Sequence, residues 1–138
     1  MPDFIAKKLE QAVELIKELE KCVLVPFSEF KNNLTYIRAS ERNFLLLVEL
    51  ASDINAHLLL EADKKTPDSY QQSFSEAEKA GIIPEAILEP LKKSARLRNI
   101  LVHEYDFDED NFIFYESVKS LLPAYREYIS VIHNKTKK

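Results

Sequence analysis

Ser40-Glu41-Arg42-Asn43-Phe44-Leu45-Leu46-Leu47-Val48-Glu49-Leu50-Ala51-Ser52-Asp53-Ile54-Asn55-Ala56-His57-Leu58-Leu59-Leu60-Glu61-Ala62 decides the fold class. Phe44, Leu47, Val48, Ala51, Ile54 and Leu58 recur at three- and four-residue steps and draw one apolar stripe on a helix, with Ser40 as the expected N-cap. Leu45, Leu46, Leu50, Leu59 and Leu60 draw a second stripe. A helix apolar on more than one face is central in a core, shared with a partner subunit, or both.

Outward from this helix the 3.6-residue period persists. Towards the N-terminus, Ile5, Leu9, Ala12, Val13, Ile16, Leu19 and Val23 form an amphipathic helix that stops at Val25-Pro26, because the residue before proline avoids helical dihedrals. A short helical turn is expected over Ser28 to Leu34. Towards the C-terminus, Asp68 or Ser69 caps a short helix from Tyr70 to Lys79, and Gly81 ends it. Pro84 opens the next helix, which carries Ile87, Leu88, Leu91, Ala95, Ile100, Leu101 and Val102. A last helix follows the acidic stretch Asp106 to Asp110. Its stripe is Phe112, Tyr115, Val118, Leu122, Tyr125, Ile129 and Ile132, and it keeps phase through Pro123, which predicts a kink and not a stop. Asn134 to Lys138 is expected to fray. The expectation is one all-α domain over residues 1–138, an up-and-down bundle of four to five main helices, with a homodimer favoured by the second stripe.

Composition narrows the function. The 138 residues hold one Gly, one Cys and no Trp, with 46% hydrophobic and 30% charged residues. One Gly rules out a P-loop or a G-x-G-x-x-G turn, and one Cys rules out an internal disulfide or a thiolate zinc cage. The net charge is −4, so any phosphate contact must come from a local basic cluster. Met1-Pro2-Asp3-Phe4 has no basic segment leading into an apolar run, and the longest such run is Phe44 to Val48. No leader and no membrane partner are expected, and Cys22 is read as a reduced core residue in an intracellular, cytoplasmic protein.

Charge is uneven near the fourth main helix. Lys92, Lys93, Arg96 and Arg98 fall within seven residues free of acid, and Glu104, Asp106, Asp108, Glu109 and Asp110 put five acids into seven positions. Asp106, Asp108 and Asp110 alternate as in a calcium loop. Asn111 stands where the loop needs Gly and Ser117 where it needs Glu, so calcium is rejected. No histidine pair at metal-ligand spacing exists, and no metal or cofactor is expected. His57 sits among leucines with Asp53 one turn before it, an i,i+4 pairing.

Arg98-Asn99-Ile100-Leu101-Val102-His103-Glu104-Tyr105 places a fixed cation, an amide, an imidazole and a phenol at the end of an apolar helix. Arg can hold a phosphate by two hydrogen bonds, and His can exchange a proton near neutral pH. Together they suit metal-free phosphodiester cleavage in which an RNA 2′-hydroxyl attacks. The same residues also serve as a structural ion-pair and hydrogen-bond cluster in a non-catalytic interaction module, and both readings stand on the residues alone. At about 100° per residue, Arg98 and Tyr105 share a helix face while His103 lies about 140° away. Either the helix ends or distorts before His103, or two copies complete one site.

Arg-x-x-x-x-His-x-Tyr within Leu97 to Tyr105 resembles the signature of HEPN-domain proteins of the HepT toxin type. Ser69-Tyr70-Gln71-Gln72-Ser73-Phe74, Ala80-Gly81-Ile82-Ile83-Pro84 and the long helix from Glu41 through His57-Leu58 are similar to the same family, over about Glu41 to Tyr128. The resemblance implies a homodimer with paired motifs and a metal-independent ribonuclease toxin of a type II toxin–antitoxin system. Arg98 and His103 would be catalytic, with Asn99 and Asp53 in support. It also implies a minimal nucleotidyltransferase antitoxin that transfers AMP to Tyr105. Lys92, Lys93 and Arg96 would guide RNA; DNA is not expected as a substrate.

Overall fold

The computed structural model describes residues 2–103 and 107–137. Six α-helices follow one another: α1 (Pro2–Val23), α2 (Phe27–Phe30), α3 (Leu34–Glu61), α4 (Tyr70–Lys79), α5 (Leu88–His103) and α6 (Phe107–Thr136), with a 3-10 turn at Glu85–Ile87 before α5. No strand occurs among the described residues. The all-α expectation is met by four long helices and two short ones.

Side-chain bonds fix the directions. Lys8 near the start of α1 pairs with Asp53 late in α3, and Glu18 late in α1 accepts from Asn43 early in α3, so the two helices are antiparallel. Arg126 of α6 grips Glu20 of α1 through Nε and Nη2, and the Tyr115 hydroxyl donates to the carbonyl of Val25, which makes α1 and α6 antiparallel as well. Phe44 meets Phe114 edge-on at 5.8 Å near the starts of α3 and α6, and Tyr128 reaches Ala51 and Asn55 near their ends. These two helices therefore run parallel, on the same side of α1. Between them, α4 and α5 close the bundle.

Several boundaries differ from the sequence expectation. The second long helix starts six residues earlier, at Leu34, because Asn33 and not Ser40 caps it: Asn33 Oδ1 accepts from Tyr36 N at 3.1 Å. Ser40 is buried and donates to Ile37 O at 2.9 Å, a local bond that a helix interior tolerates. The first helix ends at Val23, before the proline takes effect, and the expected turn is α2 at Phe27–Phe30. Pro84 precedes the 3-10 turn and not α5 itself. The last helix begins at Phe107, so positions 108–110 lie inside its first turns; acids favour a helix N-terminus. α6 continues through Pro123 to Thr136, so most of the tail is helical.

Ser69 caps α4 by accepting from Gln72 N at 3.1 Å, as its sequence suggests. α3 and α4 end alike. Asp63 (φ 61°) and Gly81 (φ 77°) adopt left-handed dihedrals, and the following amides, Lys64 N and Ile82 N, bond back to Leu59 O and Ala77 O at 2.9 and 2.8 Å. Both are Schellman closures.

The core takes Ile16, Leu19, Leu47, Ile54, Phe74, Leu91, Val118, Tyr125 and Ile132, all essentially without solvent contact. Phe112 leaves the predicted stripe: it is 52% exposed and meets Phe27 edge-on at 4.9 Å, while Phe114 and Tyr128 are buried in α6. On α3 the second stripe divides. Leu50 and Leu59 are buried, Leu45 and Leu46 only partly, and Leu60 is 63% exposed. Leu46 and Leu50 line an open, mainly apolar groove of about 510 Å³ against Leu15, Glu10 and Glu14 of α1. By length and composition α3 could cross a membrane, but half of its apolar stretch is buried inside the bundle. Cys22 is buried as expected, and burial, with Glu18 nearby, raises its thiol pKa.

Candidate active site at the end of α5

α5 holds Arg98, Asn99 and His103 in one unbroken helix, so the helix does not end or distort before the histidine. Its core-facing positions are Leu91, Ser94 and Ala95, all fully buried. Ser94 Oγ sits 2.6 Å from the Tyr125 hydroxyl and 2.6 Å from Leu91 O, which anchors α5 to α6. One turn after Ser94 and Ala95, the same face presents Arg98.

Arg98 is half-buried. Its Cζ lies 4.5 Å from the ring centroid of Tyr70, the first residue of α4. Nη1 donates to Asn99 Oδ1 at 3.2 Å, while Nε is buried with no hydrogen-bond partner among the described residues. Taking a guanidinium partly out of water costs free energy that its remaining contacts must offset. Asn99 is thus the hydrogen-bond partner of Arg98 on its own helix.

His103 points elsewhere. At about 100° per residue it shares a stripe with Lys92, Arg96 and Asn99, about 140° from Arg98. It is exposed, as are Lys93 and Arg96. Lys92 is less free, 4.0 Å from Glu89. Ile100 and Val102, 40% and 45% exposed, flank the histidine and put apolar surface beside it. Tyr105, with the neighbouring acids Glu104 and Asp106, lies outside the described residues.

Asp53 does not pair with His57. It reaches Lys8 of α1 at 3.5 Å, while His57 meets Glu61 at 3.3 Å and stacks on Phe4 at 4.6 Å. The i,i+4 spacing that suggested Asp53–His57 is satisfied one turn later. Among the described residues no group of three or more His, Cys, Asp or Glu side chains is arranged to hold a metal ion.

No sequence pattern points to Tyr70 as a neighbour of Arg98, or to the links that seat α4. Asn55 Nδ2 donates to Ser73 Oγ at 3.2 Å, and Phe74 packs edge-on to Tyr128 at 6.3 Å. Asn55 and Ser73, polar residues in line with apolar stripes, were the available signal.

Known proteins resemble this chain over nearly its whole length. The chain is 28% identical over 135 residues to the tRNA nuclease HepT of Aphanizomenon flos-aquae, covering 96% of this chain and 90% of that one. It is 29% identical to the mRNA nuclease HepT of Shewanella oneidensis, covering 96% and 98%. Its fold superposes on a tri-AMPylated HEPN toxin of S. oneidensis, solved in complex with an MNT antitoxin, with a TM-score of 0.85, 28% identity and coverage of 97% and 99%. A toxin–antitoxin complex named MntA–HpeT gives a TM-score of 0.83 at 27% identity, covering 96% and 98%. The family model described as "Ribonuclease HepT-like" matches residues 9–132, nearly the whole bundle, and the chain belongs to the HepT-like ribonuclease family.

Proposed function

We propose that the chain is a ribonuclease toxin that cleaves RNA without a metal, using Arg98 and His103, and that an antitoxin nucleotidyltransferase silences it by placing AMP on Tyr105. The observation that carries this reading is the half-buried Arg98, held in place by Tyr70 and Asn99 at the end of a helix whose exposed stripe leads to His103. In the reaction the 2′-hydroxyl oxygen attacks phosphorus, its proton passes to a base, and the 5′-oxygen leaves with a proton from an acid. His103 exchanges these protons, and Arg98 stabilises the charge that builds on the phosphorane oxygens. Lys93 and Arg96, exposed on α5, guide the RNA backbone; Lys92 contributes after release from Glu89.

A straight α5 cannot bring Arg98 and His103 of one chain to one phosphate. A homodimer in which the α5 ends face one another supplies both groups, and exposed Ile100 and Val102 give it apolar contact. Asp53, engaged by Lys8, stays in support at a distance from this end. Relatives whose solved structures include an MNT antitoxin and a tri-AMPylated toxin support the partner and the covalent mode. Neutralisation by transfer differs from a type II antitoxin that acts by binding alone, and RNA in the cytoplasm is the substrate in either case.

Purified chain should cleave RNA in EDTA, and Arg98→Ala and His103→Ala should each lower the rate about 10²-fold or more. Co-expression with a nucleotidyltransferase antitoxin of the MNT type should raise the intact mass by whole AMP units on Tyr105. Parental cleavage by either alanine variant sinks the catalytic assignment. A neutralised but unmodified chain sinks the AMP assignment and leaves inhibition by binding.

A further inference from the structure

Arg98 occupies a core-facing position: Leu91, Ala95 and Arg98 follow at four- and three-residue steps, and the first two are fully buried. A cation there must replace its lost hydration. An acidic partner would do so, but it would also neutralise the charge and compete with an incoming phosphate. Among the described residues Arg98 has no such partner. What it has is the Tyr70 ring, 4.5 Å from Cζ. An aromatic face attracts a cation through its quadrupole and leaves the net charge in place.

We propose that Tyr70 is a positioning residue for RNA cleavage: its ring is the floor that fixes the Arg98 guanidinium so that its remaining N–H groups receive the substrate phosphate. This rests on the reading of Arg98 as the phosphate-binding group. A guanidinium donates its hydrogen bonds in its own plane, the geometry that phosphate oxygens match, and the ring contact limits how far that plane can swing. Within that plane Nη1 already donates to Asn99 Oδ1, and the buried Nε–H finds no acceptor among the described residues. The floor itself is firmly set. Ser69 caps α4, Ser73 one turn on accepts from Asn55 of α3, and Phe74 is wholly buried. Tyr70 opens this helix, so its ring inherits the rigidity of the α3–α4 contact.

The test uses the full chain and its RNA kinetics with Tyr70→Phe, which keeps the ring, and Tyr70→Leu, which keeps apolar bulk without a π face. Tyr70→Phe should stay within about twofold of the parent. Tyr70→Leu should lower kcat roughly 5–30-fold with little change in KM, at a temperature where both variants are folded, since the lost orientation matters most where charge peaks. In an Arg98→Lys background Tyr70→Leu should add little, because a lysine cannot stack as a plane. In NMR, the Arg98 Hε resonance should lose its ring-current shift in Tyr70→Leu and keep it in Tyr70→Phe. If Tyr70→Leu folds poorly, Tyr70→Met replaces it. Parental kcat in the leucine variant, an equal loss in both backgrounds, or an unmoved Hε resonance overturns the proposal. Parental cleavage by Arg98→Ala would overturn the reading of Arg98 instead, and the NMR result would still decide whether Tyr70 orients the guanidinium.

Discussion

The Tyr128 hydroxyl lies 2.6 Å from Asn55 Oδ1 in the centre of the bundle, and both side chains are buried. The same hydroxyl is 3.0 Å from Ala51 O, and the Asn55 amide passes on to Ser73 Oγ. Three helices, α3, α4 and α6, thus meet at one polar link. Asn55→Ala should cost about 1–3 kcal/mol, because it strips a partner from two buried hydroxyls at once. Tyr128→Phe removes one donor and keeps the ring, so its cost should be near the lower end. Urea unfolding measures both; equal stability of Asn55→Ala and the parent would mean that buried water replaces the amide.

Alkali should unfold this protein early. Burial raises the pKa of Tyr125, against the small opposing effect of its Ser94 hydrogen bond, and burial raises that of Tyr128 as well. A phenol with a raised folded pKa keeps its proton in the native state after the unfolded chain has lost it. The stabilisation is therefore complete below the unfolded value of about 10 and falls as pH climbs above it, by about 1.4 kcal/mol per unit for each tyrosine. Unfolding free energies should be flat near pH 9, begin to fall around pH 10 and approach this slope by about pH 11, and Tyr125→Phe should halve the fall. A flat profile in the parent would contradict the burial of both phenols.

Two helix ends of the same geometry carry different residues. Gly81 has no steric cost at φ 77°, whereas Asp63 at φ 61° pays a backbone penalty. Asp63→Gly should raise stability by about 0.5–1 kcal/mol. Gly81→Ala should lower it by about 1 kcal/mol, although nothing lies within 4 Å of the added carbon. Thermal melts with the same sign for both changes would contradict the left-handed assignment.

Cys22 should be silent in the native protein. Its thiol is buried and its pKa raised, so a disulfide reagent should label it only after denaturant is added. Labelling of the folded chain within seconds would place α1 away from the core.

Arg98→Lys should be nearly as inactive as Arg98→Ala. A lysine keeps the charge but loses the guanidinium's planar contact surface toward Tyr70 and its fork of paired donors. Cleavage of RNA within a few-fold of the parent would show that charge alone suffices.

The helical period was readable because each long helix buries a continuous stripe, and those of α1 and α3 survive almost unchanged. Boundaries were less so. Ser40 reads as a cap from its type alone, and only the structure shows its hydroxyl turned back to Ile37 while Asn33 meets Tyr36. Arg98, Asn99 and His103 stood out because unlike chemistries crowd one helix end. Tyr70 did not, since 28 residues separate it from Arg98 and no local pattern encodes a contact between helices. Asp53–His57 failed for the converse reason: i,i+4 spacing permits a pair, and competing partners, Lys8 and Glu61, decide whether it forms.

A rigid α5 that sends Arg98 inward and His103 outward makes abundance a chemical variable. On the dimer proposed above a lone chain would carry half of a reagent, and at low levels the cleavage rate should rise with the square of chain concentration before turning linear. Dose sets the onset of damage. A cell that doubles its supply of this chain would quadruple the early cutting, while one that holds it scarce would feel little even with every residue intact.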